Sequence, residues 1–276
     1  MDRSGSKRVL ITGGASGLGK AIALKFSSHG HHVAIVDLND ERGQETLDQL
    51  KQSGVDAFYQ RCDVRKSEDV QSAVAATQKR WGGIDVMINN AGVAAGGPFD
   101  WVSSEDWDWV MDINFFGVLR GCQASVPVMK EQGSGHLVNI ASMAGLLNPP
   151  GMSNYNVSKA AVISLSETLV AELQPWGIGV TCVCPSFFKT NLGESMRSPD
   201  KTTSVKLEKL VAGSSDLSAD DIAGMIYDAV DSNQFLLMPH EKARLAWDYK
   251  RDSLDNHLKA QLKLAQQVKE QAQPAE

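Results

Sequence analysis

Short apolar, β-branched runs recur along the chain at residues 9–11, 32–36, 57–59, 84–88, 136–140 and 179–183, separated by stretches of helical periodicity. A run that is apolar on both faces must be covered on both, so this alternation predicts parallel strands joined by helical crossovers. The expected fold class is α/β, a single doubly wound parallel sheet with helices on both faces. A last short strand is expected at 235–238. Polar starts at Asn39-Asp40, Ser67-Glu68-Asp69 and Ser103-Ser104-Glu105 read as helix caps that place carboxylates at positive helix ends. Residues 241–273 are charged, with apolar positions at Leu254, Leu258, Leu262, Ala265 and Val268, and predict an amphipathic helical tail. The chain thus divides into a main domain, 1–238, and a C-terminal helical extension, 239–276, packed on that domain or on a partner subunit.

Composition narrows the partners. The chain has 276 residues, 42% of them hydrophobic, enough for one continuous core. Its net charge of -6, without clustered Lys and Arg, argues against nucleic acid and leaves small molecules or proteins. No run is long enough to span a bilayer, and the apolar run after the basic start stops at Ile11, short of a signal-peptide core. Cys62, Cys122, Cys182 and Cys184 show no CxxC or zinc-like spacing, which reads as reduced thiols in a cytoplasmic protein. Cys182 and Cys184 flank Val183 on one strand face and read as core. His29, His31, His32, His136, His240 and His257 form no metal-type pairs and read as surface or capping residues.

The first strand runs into Thr12-Gly13-Gly14-Ala15-Ser16-Gly17-Leu18-Gly19, and an apolar helical period follows. Strand, glycine turn and helix in this order let backbone approach a pyrophosphate, whose charge the helix start favours. The glycines at 13, 17 and 19 depart from GxGxxG, so the turn alone also suits an ordinary tight connection. Asp37, closing the second strand about 20 residues on, adds a carboxylate placed to accept ribose hydroxyls and repel a 2′-phosphate, which favours NAD over NADP. Asp37 as a simple cap, and Arg42 as a partner for NADP, remain open alternatives.

Tyr155 and Lys159 fall in Tyr-Asn-Val-Ser-Lys, one helical turn apart, so both side chains share a face. A phenol titrates near pH 10, roughly, and an adjacent ammonium is expected to bring it toward working pH. Ser142 follows the strand at 136–140, at the carboxyl edge where open α/β sheets gather ligands. Taken singly, the tyrosine–lysine pair suits an exposed helix face and the serine a turn.

In order along the chain, Thr12-Gly13-x-x-x-Gly17-x-Gly19, Asp63-Val64, Asn89-Asn90-Ala91-Gly92, Asn114, Ser142, Tyr155-x-x-x-Lys159, Pro185 and Thr190 resemble the short-chain dehydrogenase/reductase family, to about Thr190. The resemblance implies a Rossmann-like fold, Tyr155 as general acid/base, Ser142 orienting the substrate oxygen, and Lys159 lowering the tyrosine pKa and binding nicotinamide ribose. It implies that Asn114 holds a water linking the lysine to solvent. Asp63 and Val64 would border adenine, Asn90, Ala91 and Gly92 would line the cofactor channel, and Thr190 would meet the pyrophosphate or carboxamide. The family's Pro-Gly is Pro185-Ser186 here, and Phe188 stands where a small β-branched residue commonly meets the nicotinamide. The resemblance further implies a homodimer or homotetramer, with the helices at 115–129 and 155–173 at an interface.

Apolar residues surround the presumed pocket: Met143, Leu146, Leu147, Pro149 and Met152 before the tyrosine, then Phe187, Phe188, Leu192 and Met196. They predict a hydrophobic secondary alcohol or ketone, unless Lys189 and Arg197 fold inward to meet a carboxylate. The competing functions are an NADPH-dependent 3-oxoacyl-carrier-protein reductase, which Asp37 opposes, and a non-catalytic NAD-sensing or scaffold protein.

Overall fold

In the computed structural model, residues 5–188, 196–197 and 217–272 are described, and of residues 267–272 the backbone only. The strands are β1 (Arg8–Thr12), β2 (His32–Asp37), β3 (Ala57–Arg61), β4 (Val86–Asn89), β5 (Gly135–Ile140), β6 (Ile178–Val183) and β7 (Leu236–Leu237). Among the described residues they form one sheet in the order β3-β2-β1-β4-β5-β6-β7, parallel throughout. This is the doubly wound, Rossmann-like arrangement, and its strand order reverses between β1 and β4. Ile84, expected inside a strand, is buried but precedes β4.

Alternation along the strands divides the core. Val9, Ile11, Val33 and Ile35 face one layer with Ile22, Phe26 and Leu50, from α1 (Gly17–Ser28) and α2 (Asp40–Gln52), and Ile222 and Ile226 of α8 (Ala219–Asp231). Leu10, Ala34 and Val36 face the other layer with Val70, Val118 and Val162, from α3 (Ser67–Trp81), α5 (Gly117–Gln132) and α7 (Ser153–Leu173). Removing a fully buried ring such as Phe26 from a core of this kind costs about 3–5 kcal/mol. Cys182 and Cys184 are buried in the second layer, as their shared face requires.

The caps follow the sequence at two helices and not at a third. Asn39 accepts from Arg42 N at 3.0 Å, and Ser103, ahead of α4 (Ser104–Met111), accepts from Asp106 N at 3.1 Å. Ser67 instead lies inside α3, behind an uncapping Lys66. The helix expected from residue 115 is preceded by a π-helical turn, Asp112–Phe116, that joins α4 to α5. The tail is not one helix: extended backbone at Ser253 separates α9 (Glu241–Asp252) from α10 (Leu254–Ala272). Leu254, Leu258 and Leu262 are exposed, while His257, beside them on α10, is buried. Among the described residues, no helix is long and apolar enough to cross a membrane.

Candidate active site

A cavity of about 660 Å³ lies along the carboxyl ends of β1, β2, β4, β5 and β6. Its first wall begins where β1 ends. Gly13 and Gly17 take φ of 64° and 51°, in the left-handed region open to glycine. A Cβ on Gly13 would stand 2.9 Å from Ala91 Cα, and one on Gly19 would stand 2.1 Å from Gly13 O, so any side chain at either point would force the turn apart. Asn90 locks the same packing, its Nδ2 donating to Thr12 O and Gly13 O at 3.0 Å each. Ser16, Gly17 and Leu18 line the cavity at the start of α1, where Ser16 supplies no side-chain cap. The first N–H groups of the helix therefore face the cavity without a protein cap, a ready anion site. Gly19 is not on the wall; it sits one step deeper, against Gly13.

Asp37 ends β2 on the same wall. Its Oδ2 accepts from Ala15 N and its Oδ1 from Asn39 N, both at 3.1 Å, so the carboxylate orders the turn and still borders the cavity. Arg42 is on the wall too. Asp63 is gripped by Arg65 through Nε at 2.9 Å and Nη2 at 2.6 Å, and that pairing holds its carboxyl below the usual range. Val64, Asn90, Ala91, Gly92, Pro185 and Phe188 complete the sequence-expected residues on this wall. Thr190, Leu192 and Lys189 lie outside the described residues.

Ser142, Tyr155 and Lys159 line the far end of the cavity and are all buried. Ser142 Oγ accepts from Ala144 N at 3.1 Å and donates over a long 3.4 Å to Pro185 O. Lys159 Nζ donates to Ile140 O at 2.9 Å and lies 5.8 Å from the centre of the Tyr155 ring. Asn114, in the π-helical turn, is fully buried beside the cavity. Its Oδ1 accepts from Val93 N at 2.8 Å, and its Nδ2 donates to Val93 O at 3.0 Å and Ser158 Oγ at 3.1 Å, tying the segment after β4 to α7. A Cβ on Gly92 would come within 3.2 Å of Asn114 Oδ1 and 3.5 Å of Lys159 Nζ, so this glycine keeps the space between them open.

The electrostatics correct one expectation. Burial pushes the Tyr155 phenol up to about 12, against a smaller opposing effect of the Ser142 hydroxyl. The tyrosine is therefore not drawn toward neutrality by the lysine. Burial instead pulls Lys159 down to about 8, against opposing contributions from Cys184 and Cys182. Both groups lose water on the same wall, and desolvation favours the neutral form of each.

The apolar pocket residues divide. Phe187 lines the cavity. Met152 packs beside Tyr155 and Ala144, while Met143 and Leu147 turn into the core layer, so none of the three lies on the wall; nor does Met196. The missed wall residues include Val93, Trp109, Ile113 and Arg65. Trp109 and Ile113 are four residues apart, a spacing that signals a shared helical face. Arg197 also reaches the wall, its guanidinium 3.9 Å from the Trp109 ring centre and 3.5 Å from Asp106 Oδ1.

Of the histidines expected at the surface or at caps, His29 is exposed at the end of α1 and His240 stands at the N-cap of α9, but His31, His136, His240 and His257 are buried. His136 Nε2 meets Thr181 Oγ1 at 2.8 Å, and His240 Nδ1 accepts from Ser186 N at 3.1 Å. No group of His, Cys, Asp and Glu that could hold a metal occurs among the described residues.

Comparison with known proteins places this geometry. A family described as short chain dehydrogenase matches residues 7–201. The chain is 39% identical over 189 residues to a 2-(R)-hydroxypropyl-CoM dehydrogenase of Xanthobacter autotrophicus, covering 67% of this chain and 76% of that one. It is 31% identical over 192 residues to a 3-oxoacyl-[acyl-carrier-protein] reductase of Staphylococcus aureus, covering 69% and 78%. A solved short chain dehydrogenase/reductase from Burkholderia phymatum, in complex with NAD, superposes with a TM-score of 0.87 at 32% identity, over 92% of this chain and 96% of that one. With a family match across most of its length and the glycine turn and buried tyrosine, serine and lysine on one cavity, the chain belongs to the short-chain dehydrogenase/reductase family of oxidoreductases.

Proposed function

We propose that this protein transfers hydride between NAD(H) and a hydrophobic secondary alcohol or ketone. The observation that carries the proposal is that one cavity joins an uncapped helix start and Asp37 at one end to Ser142, Tyr155 and Lys159 at the other. The residues fit the cofactor: the start of α1 would hold the pyrophosphate, Asp37 the adenosine ribose, and Asp63 and Val64 the adenine edge. Two remaining N–H donors of Lys159 would meet the nicotinamide ribose. When bound, the nicotinamide supplies the hydride acceptor or donor.

The protein's own groups handle the oxygen. With Ala144 N on Ser142 Oγ, the serine has one hydroxyl proton to offer, and its bond to Pro185 O is long enough to yield to a substrate oxygen. Tyr155, pushed up by burial, is a neutral phenol at pH 7, the state that donates a proton to a ketone oxygen. Alcohol oxidation runs the same transfer backward and needs the proton removed, for which Lys159 is the adjacent route. Val93, Trp109, Ile113 and Phe187 give the substrate an apolar surround, and Arg197, on the same wall, is engaged by Asp106 and the Trp109 ring. The relatives' names, one a dehydrogenase and one a carrier-protein reductase, support the reaction class and differ in substrate. The carrier-protein reading is the second one; the Asp37 carboxylate on the wall, opposed to a 2′-phosphate, stands against its NADPH dependence.

Exposed Phe116 and Val157, on the two helices expected at an interface, support assembly as a homodimer or homotetramer. Four buried, unpaired cysteines fit a reducing cytoplasm.

The test is Tyr155→Phe, assayed with NAD against a panel of secondary alcohols and with NADPH against 3-oxoacyl carriers. Loss of turnover by a factor of about 10²–10⁴ with NAD affinity retained is the expected result. Turnover near wild type would remove the acid/base role, and activity confined to NADPH and acyl carriers would favour the second reading.

A further inference from the structure

The segment between Ser142 and Tyr155 contains α6 (Ala144–Leu147), a helix of a single turn. A helix this short cannot sustain itself, because its nucleation cost is not repaid by added turns and its last carbonyls have no intrahelical donors. Something else must hold it. Its start is bound directly to the site, where Ala144 N donates to Ser142 Oγ at 3.1 Å and Gly145 N to Ser142 O at 3.0 Å. Its side lies on the helix that carries Tyr155 and Lys159: a Cβ on Gly145 would stand 2.7 Å from Ala160 N and from Lys159 C.

Its end is held from the C-terminal tail, more than a hundred residues away. Lys250 Nζ donates to Leu146 O at 2.5 Å and to Asn148 Oδ1 at 2.6 Å. Asn148 is the left-handed residue that terminates α6, with φ 53°. Leu147 O meets His257 Nε2 at 3.0 Å and accepts from Gln261 Nε2 at 3.3 Å. His257 and Gln261 are one turn apart on α10, along the edge of the stripe that carries its exposed leucines. Three side chains from two helices thus converge on two adjacent carbonyls and a capping amide. Burial pulls the Lys250 ammonium below its usual value, and the two oxygens it reaches offset that lost hydration.

We propose that Lys250, His257 and Gln261 are positioning residues for Ser142, acting through α6, so that the tail fixes where the serine hydroxyl meets the substrate oxygen. The inference rests on the serine role proposed above. It assigns the tail a task in the reaction rather than in packing alone.

The first measurement needs no substrate. In full-length Lys250→Met and His257→Leu proteins, amide hydrogen exchange at Ala144 and Gly145 should accelerate at least about tenfold, with exchange in β1 and α1 unchanged and the NAD dissociation constant within about twofold of wild type. Unchanged exchange at Ala144 and Gly145 overturns the proposal. The second uses turnover of NAD with 1-phenylethanol, or with the best alcohol of the panel. Lys250→Met should lower kcat about tenfold, Lys250→Arg should restore most of it, and in a Ser142→Ala background Lys250→Met should cost nothing more. The same tenfold loss in that background overturns the coupling to Ser142. If Ser142→Ala alone turns over like wild type, the serine role fails, and the exchange result still judges the clamp.

Discussion

The carboxylate of Asp37 accepts the peptide N–H of Ala15 at 3.1 Å, so the residue that closes β2 also holds the glycine turn that follows β1. Asp37→Asn keeps an acceptor for that N–H and removes the charge. Its NAD affinity is expected to fall about tenfold and its NADP affinity to rise about as much, each near 1.4 kcal/mol. Fluorescence titration of both cofactors gives the ratio. A ratio equal to wild type would mean that Asp37 does not discriminate between them.

Two glycines should respond oppositely to the same substitution. Gly19→Ala puts a methyl 2.1 Å from Gly13 O, against backbone that cannot swing aside, and is expected to cost about 1–3 kcal/mol along with NAD affinity. Gly224, inside α8, has nothing within 4 Å of an added Cβ. Gly224→Ala should stabilise by about 0.5–1 kcal/mol, because alanine loses less backbone entropy in a helix. Thermal unfolding of the two variants checks both signs.

The pH profile follows from the wall that Tyr155 and Lys159 share. Burial raises Tyr155 to about 12 and lowers Lys159 to about 8, so as pH rises the lysine is the first of the two to release its proton. Alcohol oxidation should climb through the region around pH 8, and Lys159→Met should remove that limb. A climb that survives in Lys159→Met would assign it to another group.

Acid stability should depend on a pair outside the cavity. Arg8 donates to Asp85 through its peptide N and Nε to Oδ2, at 2.7 and 2.8 Å, and through Nη2 to Oδ1 at 2.7 Å. Burial pushes the Asp85 carboxyl up, but these hydrogen bonds outweigh it and leave it below its usual value. Its stabilising effect is therefore present above the unfolded carboxylate value and is lost as pH falls through the lower folded value. Asp85→Asn should lower stability at pH 7 by about 1.5–3 kcal/mol and flatten the loss of stability in acid. Denaturant melts at pH 7 and pH 3 measure both effects.

Much of this was legible in the chain because it is local. The strands announce themselves as apolar runs, and the glycine turn, Asp37 and the tyrosine–lysine spacing follow from short-range geometry. What escaped depends on direction and distance. Met143, Leu147 and Met152 flank the tyrosine in sequence, but the single turn of α6 carries the first and second into the core layer, and Met152, at the start of α7, packs on Ala144. Arg197 reaches the wall only because the chain returns beside Ala95, a pairing without periodicity to betray it. The buried histidines looked like surface residues since each finds its partner on a distant element, as His257 does at Leu147. The upward shift of Tyr155 could not be read from an adjacent lysine, because it comes from burial, which depends on the whole fold.

The π-helical turn at Asp112–Phe116 sets the phase of what lies on either side. An α-helix advances about 100° per residue, so a chain one residue shorter here would close into a regular helix and swing one half by that angle against the other. Asn114 and the Trp109–Ile113 wall could then not both keep their present bearings. The extra residue acts as a vernier between two helices, and losing it would disengage Asn114 from Val93 or turn Trp109 and Ile113 off the wall.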